Sequence, residues 1–427
     1  MKSDFLNLKL KGIFPIPTEI GWLTYIPLAD SCFIADEQDL LEIDAMIKTD
    51  TLKGSKYDEI ITPLIEMSLN HCFPGSSVSG LSNMSIFPTW NCNFSCSYCY
   101  ASQAHIKASM PLDIAFAAID YFFKSGKGDI SLQLLGGGEP FIEWGIVEKI
   151  SSYARERELL TGRKLTLSIA TNGSILTEKI INDILRYDIR ISFSFEILED
   201  IQDRQRGAYQ KVHENLKRLI EADMGERIFL RTVITPLSVC RMEEMVDKVL
   251  KTYPSVSGVI AEPVMGTDNF ISTDEYMNFC SLFYENFSKA RTKALQNGLN
   301  FTSMILRNMD FSIDKSCEGD FCVTPDGSIS ICHRLASPKS GSDKYDYCYG
   351  QVKDGIVRIE QERYHKLIGP SVNEREECKY CFAKFNCGGG CVARNLNETS
   401  DSKKAFCMLT QNLLKDELIR RYKLAVS

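Results

Sequence analysis

Asn91-Cys92-Asn93-Phe94-Ser95-Cys96-Ser97-Tyr98-Cys99-Tyr100 places three cysteines in a CxxxCxxC pattern within eight residues. Thiolates so close in sequence can converge on one metal centre from a single loop. Iron-sulfur clusters as a rule take four cysteine ligands, so a three-cysteine loop implies a cluster with one iron open to a ligand that is not protein. A zinc knuckle is the competing reading. It needs four cysteine or histidine ligands in reach, and His105 is the spare one nearby.

Working outward, from residue 84 strand patterns alternate with helical ones at a repeat of about 35 residues, which argues for parallel βα units. Strands are expected at 85–89, 130–135, 165–170, 190–195, 228–233 and 258–263, with helices at 112–123, 142–159, 178–187, 209–223, 242–253 and 274–297. Two glycine turns fall at strand ends, Gly136-Gly137-Gly138-Glu139-Pro140 and Thr171-Asn172-Gly173. Glycine lets backbone approach a ligand closely, and proline fixes the exit.

With the aromatic Tyr98 before its last cysteine, the opening loop resembles the signature of the radical S-adenosylmethionine (SAM) enzymes. The resemblance implies that Cys92, Cys96 and Cys99 bind a [4Fe-4S] cluster whose fourth iron is chelated by SAM. An electron from the cluster then cleaves SAM to a 5'-deoxyadenosyl radical, which abstracts hydrogen. Gly137, Gly138, Glu139 and Pro140 match the family's GGEP motif, whose backbone receives the SAM amino group, and Thr171 and Asn172 stand where its TNG shapes the SAM pocket. Phe193-Ser194-Phe195-Glu196 stands where relatives have Ser-x-Asp-Gly, and Asp203-Arg204-Gln205-Arg206 resembles their DxxR segment. Ser194 and Arg206 are therefore expected to hold polar groups of SAM, arginine suiting a carboxylate. Glu196 and Ile197 depart from Asp-Gly, which bears on the shape of that loop. Glu262-Pro263-Val264 ends the sixth strand without an assigned role. Six repeats are fewer than a closed eightfold barrel has. The implied fold is α/β, an open (β/α)6 partial TIM barrel over residues 84–309, with the cluster loop at its C-terminal mouth.

Beyond residue 309 cysteine punctuation replaces the βα rhythm. Cys317, Gly327 and Cys332 read CX9GX4C, and Cys378, Cys381, Cys387, Cys391 and then Cys407 complete the seven-cysteine pattern of a SPASM domain, here residues 310–427. By that resemblance Cys378, Cys381, Cys387 and Cys407 bind one auxiliary [4Fe-4S] cluster, and Cys317, Cys332 and Cys391 bind another. Cys322 is the expected fourth ligand of the latter and Cys348 the alternative. The chain would then hold SAM and three [4Fe-4S] clusters, one SAM-binding and two auxiliary, with an auxiliary cluster able to accept the second electron of an oxidation. Two zinc sites are the competing reading, since Cys378-x-x-Cys381 is zinc-like alone.

Residues 1–83 read as two short strands across 20–34, broken near 27–30, and helices at 36–47 and 57–69. This small α+β extension resembles the PqqD-type modules that dock peptides ahead of many peptide-modifying radical SAM enzymes; a structural extension packed on the barrel is the alternative.

The chain's 427 residues are 44% hydrophobic and 25% charged, with net charge −7. That balance suits a soluble globular protein and gives no reason to expect a nucleic-acid surface. Residues 1–14 lack the apolar run of a secretory signal, and no segment reaches the roughly 20 apolar residues of a membrane helix. A cytoplasmic protein is expected, and in a reducing compartment 16 cysteines argue for metal rather than disulfides.

The named precedents for this architecture are maturases. The function read from the sequence is oxidative modification, as crosslinking, of side chains in a ribosomally made precursor peptide, with an external donor such as flavodoxin or ferredoxin. The alternative is a formylglycine-forming enzyme like the anaerobic sulfatase maturases. Those have aspartate, the proposed base, right after the GX4C cysteine, where this chain has Cys332-His333-Arg334. His333 is the candidate base or a group supporting the site, since histidine exchanges protons near neutrality. A multi-cluster electron-transfer protein or a metal-organised binding module is the non-enzyme alternative; neither needs GGEP and TNG turns.

Overall fold

The computed structural model describes residues 4–101, 107–126, 128–266, 269–336, 344–395 and 399–426. His105 lies outside them. Strands β1 (Phe14–Thr18), β2 (Gly21–Ile26) and β3 (Ser31–Ala35) make an antiparallel meander. The turn between β2 and β3 starts on Pro27 and closes on Asp30, left-handed at φ 46°. Strand β1 was not anticipated, because Pro15 and Pro17 argue against an interior strand. It tolerates both prolines by lying at the sheet edge, paired only with β2. Helices Glu37–Thr49 and Asp58–Asn70 follow, the first capped by Asp36, which accepts from Gln38 N at 2.8 Å.

Leu8, Ile13, Ile26, Leu40, Ile43 and Ile61 give this module a small core of its own. Its other side seats on the cysteine-rich third of the chain. Phe14 shares an apolar cluster with Val372 and Phe385, and Tyr25 Oη donates to Asn386 Oδ1 at 3.1 Å.

Strands β4 (Asn83–Ile86), β5 (Ile130–Leu134), β6 (Leu165–Thr171), β7 (Ile189–Ser194), β8 (Ile228–Ile234) and β9 (Gly258–Pro263) run parallel in that order, each joined to the next through helix. This is the open (β/α)6 partial barrel. Alternation within the strands sets its two faces. Along β6 the residues Leu165, Leu167 and Ile169 are buried while Thr166, Ser168 and Ala170 are half-buried, and β5 and β8 alternate likewise. Apolar side chains therefore face the helices, each contributing on the order of 1.5–3 kcal/mol. Many of the others are polar and face an open lumen, unlike the filled interior of a closed barrel.

β10 (Phe301–Thr302) adds to β9. On the other side β11 (Phe321–Val323) pairs in parallel with β4, and β12 (Ser328–Ser330), β13 (Cys348–Lys353) and β14 (Ile356–Ile359) continue antiparallel, so one 11-stranded sheet runs from the barrel into the cysteine-rich region. A closing helix, Ser400–Val426, lies on helix Thr273–Gln296. The buried Glu417 clamps the two, accepting from Arg291 at 3.0 Å and from Arg420 and Arg421 at 2.6 and 3.0 Å. Among the described residues no helix is long and apolar enough to cross a membrane.

Candidate active site

The loop after β4 carries Cys92, Cys96 and Cys99 onto the C-terminal mouth of the barrel, where a cavity of about 590 Å³ opens. Its volume is that of a small-molecule site. Cys92, Cys96, Tyr98 and Cys99 line it, with Gly137, Gly138 and Glu139 after β5, Thr171 and Asn172 at the end of β6, Ser194 at the end of β7, and Arg206. Pro140, expected with them, is buried behind the wall and does not line the space.

Direct bonds hold these turns together. A Cβ on Gly138 would stand 2.2 Å from the Asn91 carbonyl oxygen, so only glycine lets the two loops touch. The buried Glu139 carboxylate accepts from Phe141 N at 3.0 Å, Thr171 Oγ1 at 2.7 Å and Asn172 N at 2.6 Å. Burial raises its pKa against the pull of these donors. Its carboxylate thus joins two turns, leaving neighbouring backbone to face the cavity. Asn172 Nδ2 reaches back to Asn93 Oδ1 at 3.0 Å, tying the second turn to the cysteine loop.

Glu196 proves to be a structural centre. Fully buried, it accepts from the Tyr98 hydroxyl, from Thr232 Oγ1 at 2.8 Å and from Val233 N at 3.0 Å, and lies 3.8 Å from Arg206 Nη1. Ile197, where relatives have glycine, sits in a tight turn at φ 67°, a strained position for a β-branched residue. Complete burial of its side chain offsets that strain. Arg206 loses solvation in this pocket, but Tyr98, Cys96 and Glu196 around it raise its pKa, so it stays charged. Its buried Nε has no hydrogen-bond partner among the described residues, which leaves donor capacity for a carboxylate.

Burial pushes the Cys96 thiol up to about 11, with Cys92, Cys99 and Glu196 adding to the effect. A metal that takes such thiols must displace their protons. Three soft sulfur donors, a buried arginine with an unused donor and a backbone cradle are the chemistry a [4Fe-4S] cluster and an amino-acid ligand require.

Seven of the other cysteines gather in two sets, and all sixteen in the chain are free thiols. Cys378, Cys381, Cys387 and Cys407 feel one another's charge, as do Cys317, Cys332 and Cys391. Burial pushes Cys332 and Cys381 up to about 12. Gly388, Gly389 and Gly390 all take positive φ, from 63° to 86°, turning the chain between the sets. Cys322, fully buried on β11, couples to Cys332 and Cys348, and Cys322, Ser330 and Cys348 lie abreast across three strands. Both candidates for a fourth ligand thus lie on the strands that flank the one leading into Cys332. Among the described residues no three cysteine, histidine or acidic side chains are close enough to share one metal ion. A cluster of several irons is larger, each thiolate binding its own iron.

His333 also lines the cavity, its Nδ1 3.7 Å from Asp320 Oδ2 and its ring beside Tyr100. Asp320 had no sequence signal. It accepts from Ser85 Oγ at 2.8 Å, and its buried Oδ1 has no hydrogen-bond partner among the described residues. Arg231, Glu262, Arg334 and Arg394 complete the far wall. Arg231 and Arg394 belong to no motif, whereas Glu262 stands in the Glu262-Pro263-Val264 strand end and Arg334 follows Cys332-His333, neither with an assigned role.

Residues 86–249 match the family model of the radical SAM superfamily. That stretch of the chain is a radical SAM domain. A domain of this kind works with SAM and a [4Fe-4S] cluster. The non-enzyme readings are thereby set aside. Among curated relatives, an uncharacterized protein of Methanocaldococcus jannaschii is 29% identical over 40% of this chain and 58% of its own length. The radical SAM cyclopropyl synthase TigE of Paramaledivibacter caminithermalis is 22% identical over 78% of this chain and 72% of its own. Among solved structures, anSMEcpe with bound AdoMet superposes with a TM-score of 0.60 at 18% identity, covering 79% of this chain and 99% of that one. SuiB of Streptococcus suis, bound to its precursor peptide SuiA, gives 0.53 at 14% identity, over 92% and 97%. At such identities the likeness is one of fold. The radical SAM fold is common to all three chains.

Proposed function

We propose that this radical SAM enzyme is a peptide maturase that oxidatively modifies, by crosslinking, side chains of a ribosomally made precursor peptide. One observation carries the reading: a single cavity is walled on one side by Cys92, Cys96 and Cys99 and on the other by His333, Arg334 and Arg394, which neighbour Cys332 and Cys391 in sequence. A side chain in that space lies between the radical source and the first auxiliary cysteine set. The peptide in the SuiB structure supports this class of substrate.

In this reading Cys92, Cys96 and Cys99 hold the SAM-binding cluster. Backbone at Gly137 and Gly138 receives the SAM amino group, Arg206 and Ser194 hold its polar groups, and Thr171 and Asn172 shape the pocket. Cys317, Cys322, Cys332 and Cys391 hold one auxiliary cluster; Cys378, Cys381, Cys387 and Cys407 hold the other. When bound, SAM and its cluster supply a 5'-deoxyadenosyl radical for hydrogen abstraction, and the auxiliary clusters take the second electron. In this reading His333 receives the proton that leaves with it. The N-terminal module, residues 1–83, docks the peptide's leader, and a flavodoxin or ferredoxin delivers the reducing electron.

The test pairs anaerobically reconstituted protein with any short precursor encoded beside its gene. The expected result is 5'-deoxyadenosine together with a peptide lighter by two hydrogens per modification. No 5'-deoxyadenosine under strong reductant would sink the radical chemistry. An adjacent sulfatase, and formylglycine in it, would replace the peptide reading with the maturation of a protein.

A further inference from the structure

The peptide-maturase reading leaves part of the cavity unexplained, and the following rests on that reading. Beyond the cysteine loop the wall carries three guanidinium groups, Arg231, Arg334 and Arg394, against one carboxylate, Glu262. Glu262 is already engaged, its Oε1 accepting from Ser303 Oγ at 3.1 Å and Met304 N at 2.5 Å. Arg394 is held over the Phe406 ring at 3.6 Å and donates to Tyr276 Oη at 3.1 Å. The Arg334 guanidinium donates to the Met265 sulfur, a weak acceptor, and to no other group among the described residues. Arg231 has no hydrogen bond or salt bridge from its side chain among the described residues.

Arg231 and Arg334 line the same cavity, where burial and the Arg334 charge lower the Arg231 pKa and Glu262 raises it. Two guanidinium groups in a shared, partly desolvated space repel, and a single engaged carboxylate does not cancel them. The arrangement becomes favourable when an anion bridges them, and guanidinium forks fit a carboxylate in bidentate fashion. That anion is not the carboxylate of SAM. The charged neighbours of Arg206 include Cys96 and Glu196 by the cysteine loop, whereas those of Arg231 are Glu262, Arg334 and Tyr100.

We propose that Arg231 and Arg334 bind a carboxylate of the peptide substrate and so place a neighbouring atom before the radical source. The carboxylate belongs to an aspartate or glutamate side chain or to the peptide's C-terminus. In either case these arginines determine specificity and do not take part in the chemistry.

Isothermal titration of the reconstituted full chain, with SAM present, separates the cases using three pentapeptides. One carries a central glutamate with both termini blocked, one the matching glutamine with both blocked, and one the glutamine with a free C-terminal carboxylate. A peptide with the correct carboxylate should bind roughly tenfold more tightly than the blocked glutamine peptide. Which of the two gains identifies the source. The advantage should vanish in Arg231→Gln and Arg334→Gln and survive in part in Arg231→Lys. Three equal affinities in the unmutated protein, or no binding of any peptide at millimolar concentration, would overturn the proposal without reference to variants. So would a preference that persists in both glutamine variants with unchanged melting temperature. In the same preparation 5'-deoxyadenosine is assayed without peptide. Its absence refutes the radical chemistry and leaves the carboxylate result standing, so the two failures are distinct.

Discussion

The Arg206 guanidinium donates through Nη1 to the Tyr98 hydroxyl at 2.9 Å, and that hydroxyl donates in turn to Glu196. The relay joins the aromatic residue of the cysteine loop to two segments more than 90 residues away in sequence. Tyr98→Phe removes the shared hydroxyl and leaves buried charges facing each other across 3.8 Å. Unfolding in urea should show a loss of about 1–3 kcal/mol. A loss below the error of the method would mean that the hydroxyl does not tie the segments.

Gly138→Ala forces a methyl group into the Asn91 carbonyl, 2.2 Å away. Backbone cannot yield as a flexible side chain can, so the two loops must part. The variant should fold, judged by circular dichroism, yet bind SAM at least tenfold more weakly by equilibrium dialysis. Unchanged SAM affinity would show that contact between these loops does not matter for the pocket.

Replacing Cys92, Cys96 and Cys99 together by alanine should abolish 5'-deoxyadenosine formation and remove about four iron atoms per chain while the auxiliary iron remains. Replacing Cys378 and Cys381 should instead lower iron by a similar amount and spare part of SAM cleavage while modified product is lost. Iron analysis beside product chromatography distinguishes the patterns. Equal loss of cleavage in both variants would argue that the clusters are not functionally separate.

Glu417 gives a pH signature. Burial alone would raise its carboxyl, but Arg420, Arg291 and Arg421 hold it at about 2. An unfolded glutamate titrates near 4.3, so the folded value is depressed and the stabilisation is fully present above that pH. It is lost as pH falls from about 4.3 towards 2. Glu417→Gln should cost about 2–4 kcal/mol at neutral pH and flatten this part of the acid-unfolding curve. An identical acid limb in both proteins would refute the assignment.

The barrel was legible because its signal is local. Each helix-facing residue of β6 or β8 announces the strand two positions on, and Thr177 and Ser272 cap the following helices within three residues, accepting from Ile180 N and Glu275 N. The spacing of the cysteines is a local signal of the same kind. Arg231 and Asp320 were not legible, since a lone charged residue carries no mark of the wall it will join. Nor was β11 beside β4, because parallel pairing between distant segments leaves no periodicity in either one. Prolines concealed β1, where the deciding fact was its edge position.

That pairing of β11 with β4 also orders events during synthesis. Ser85 meets Cys322 across the ladder, and residues 87 to 320 must be made before the contact can form. Until then one flank of the first barrel strand has no partner and remains an open edge, a template for wrong pairing. β11 covers that edge only after the six barrel strands have been made.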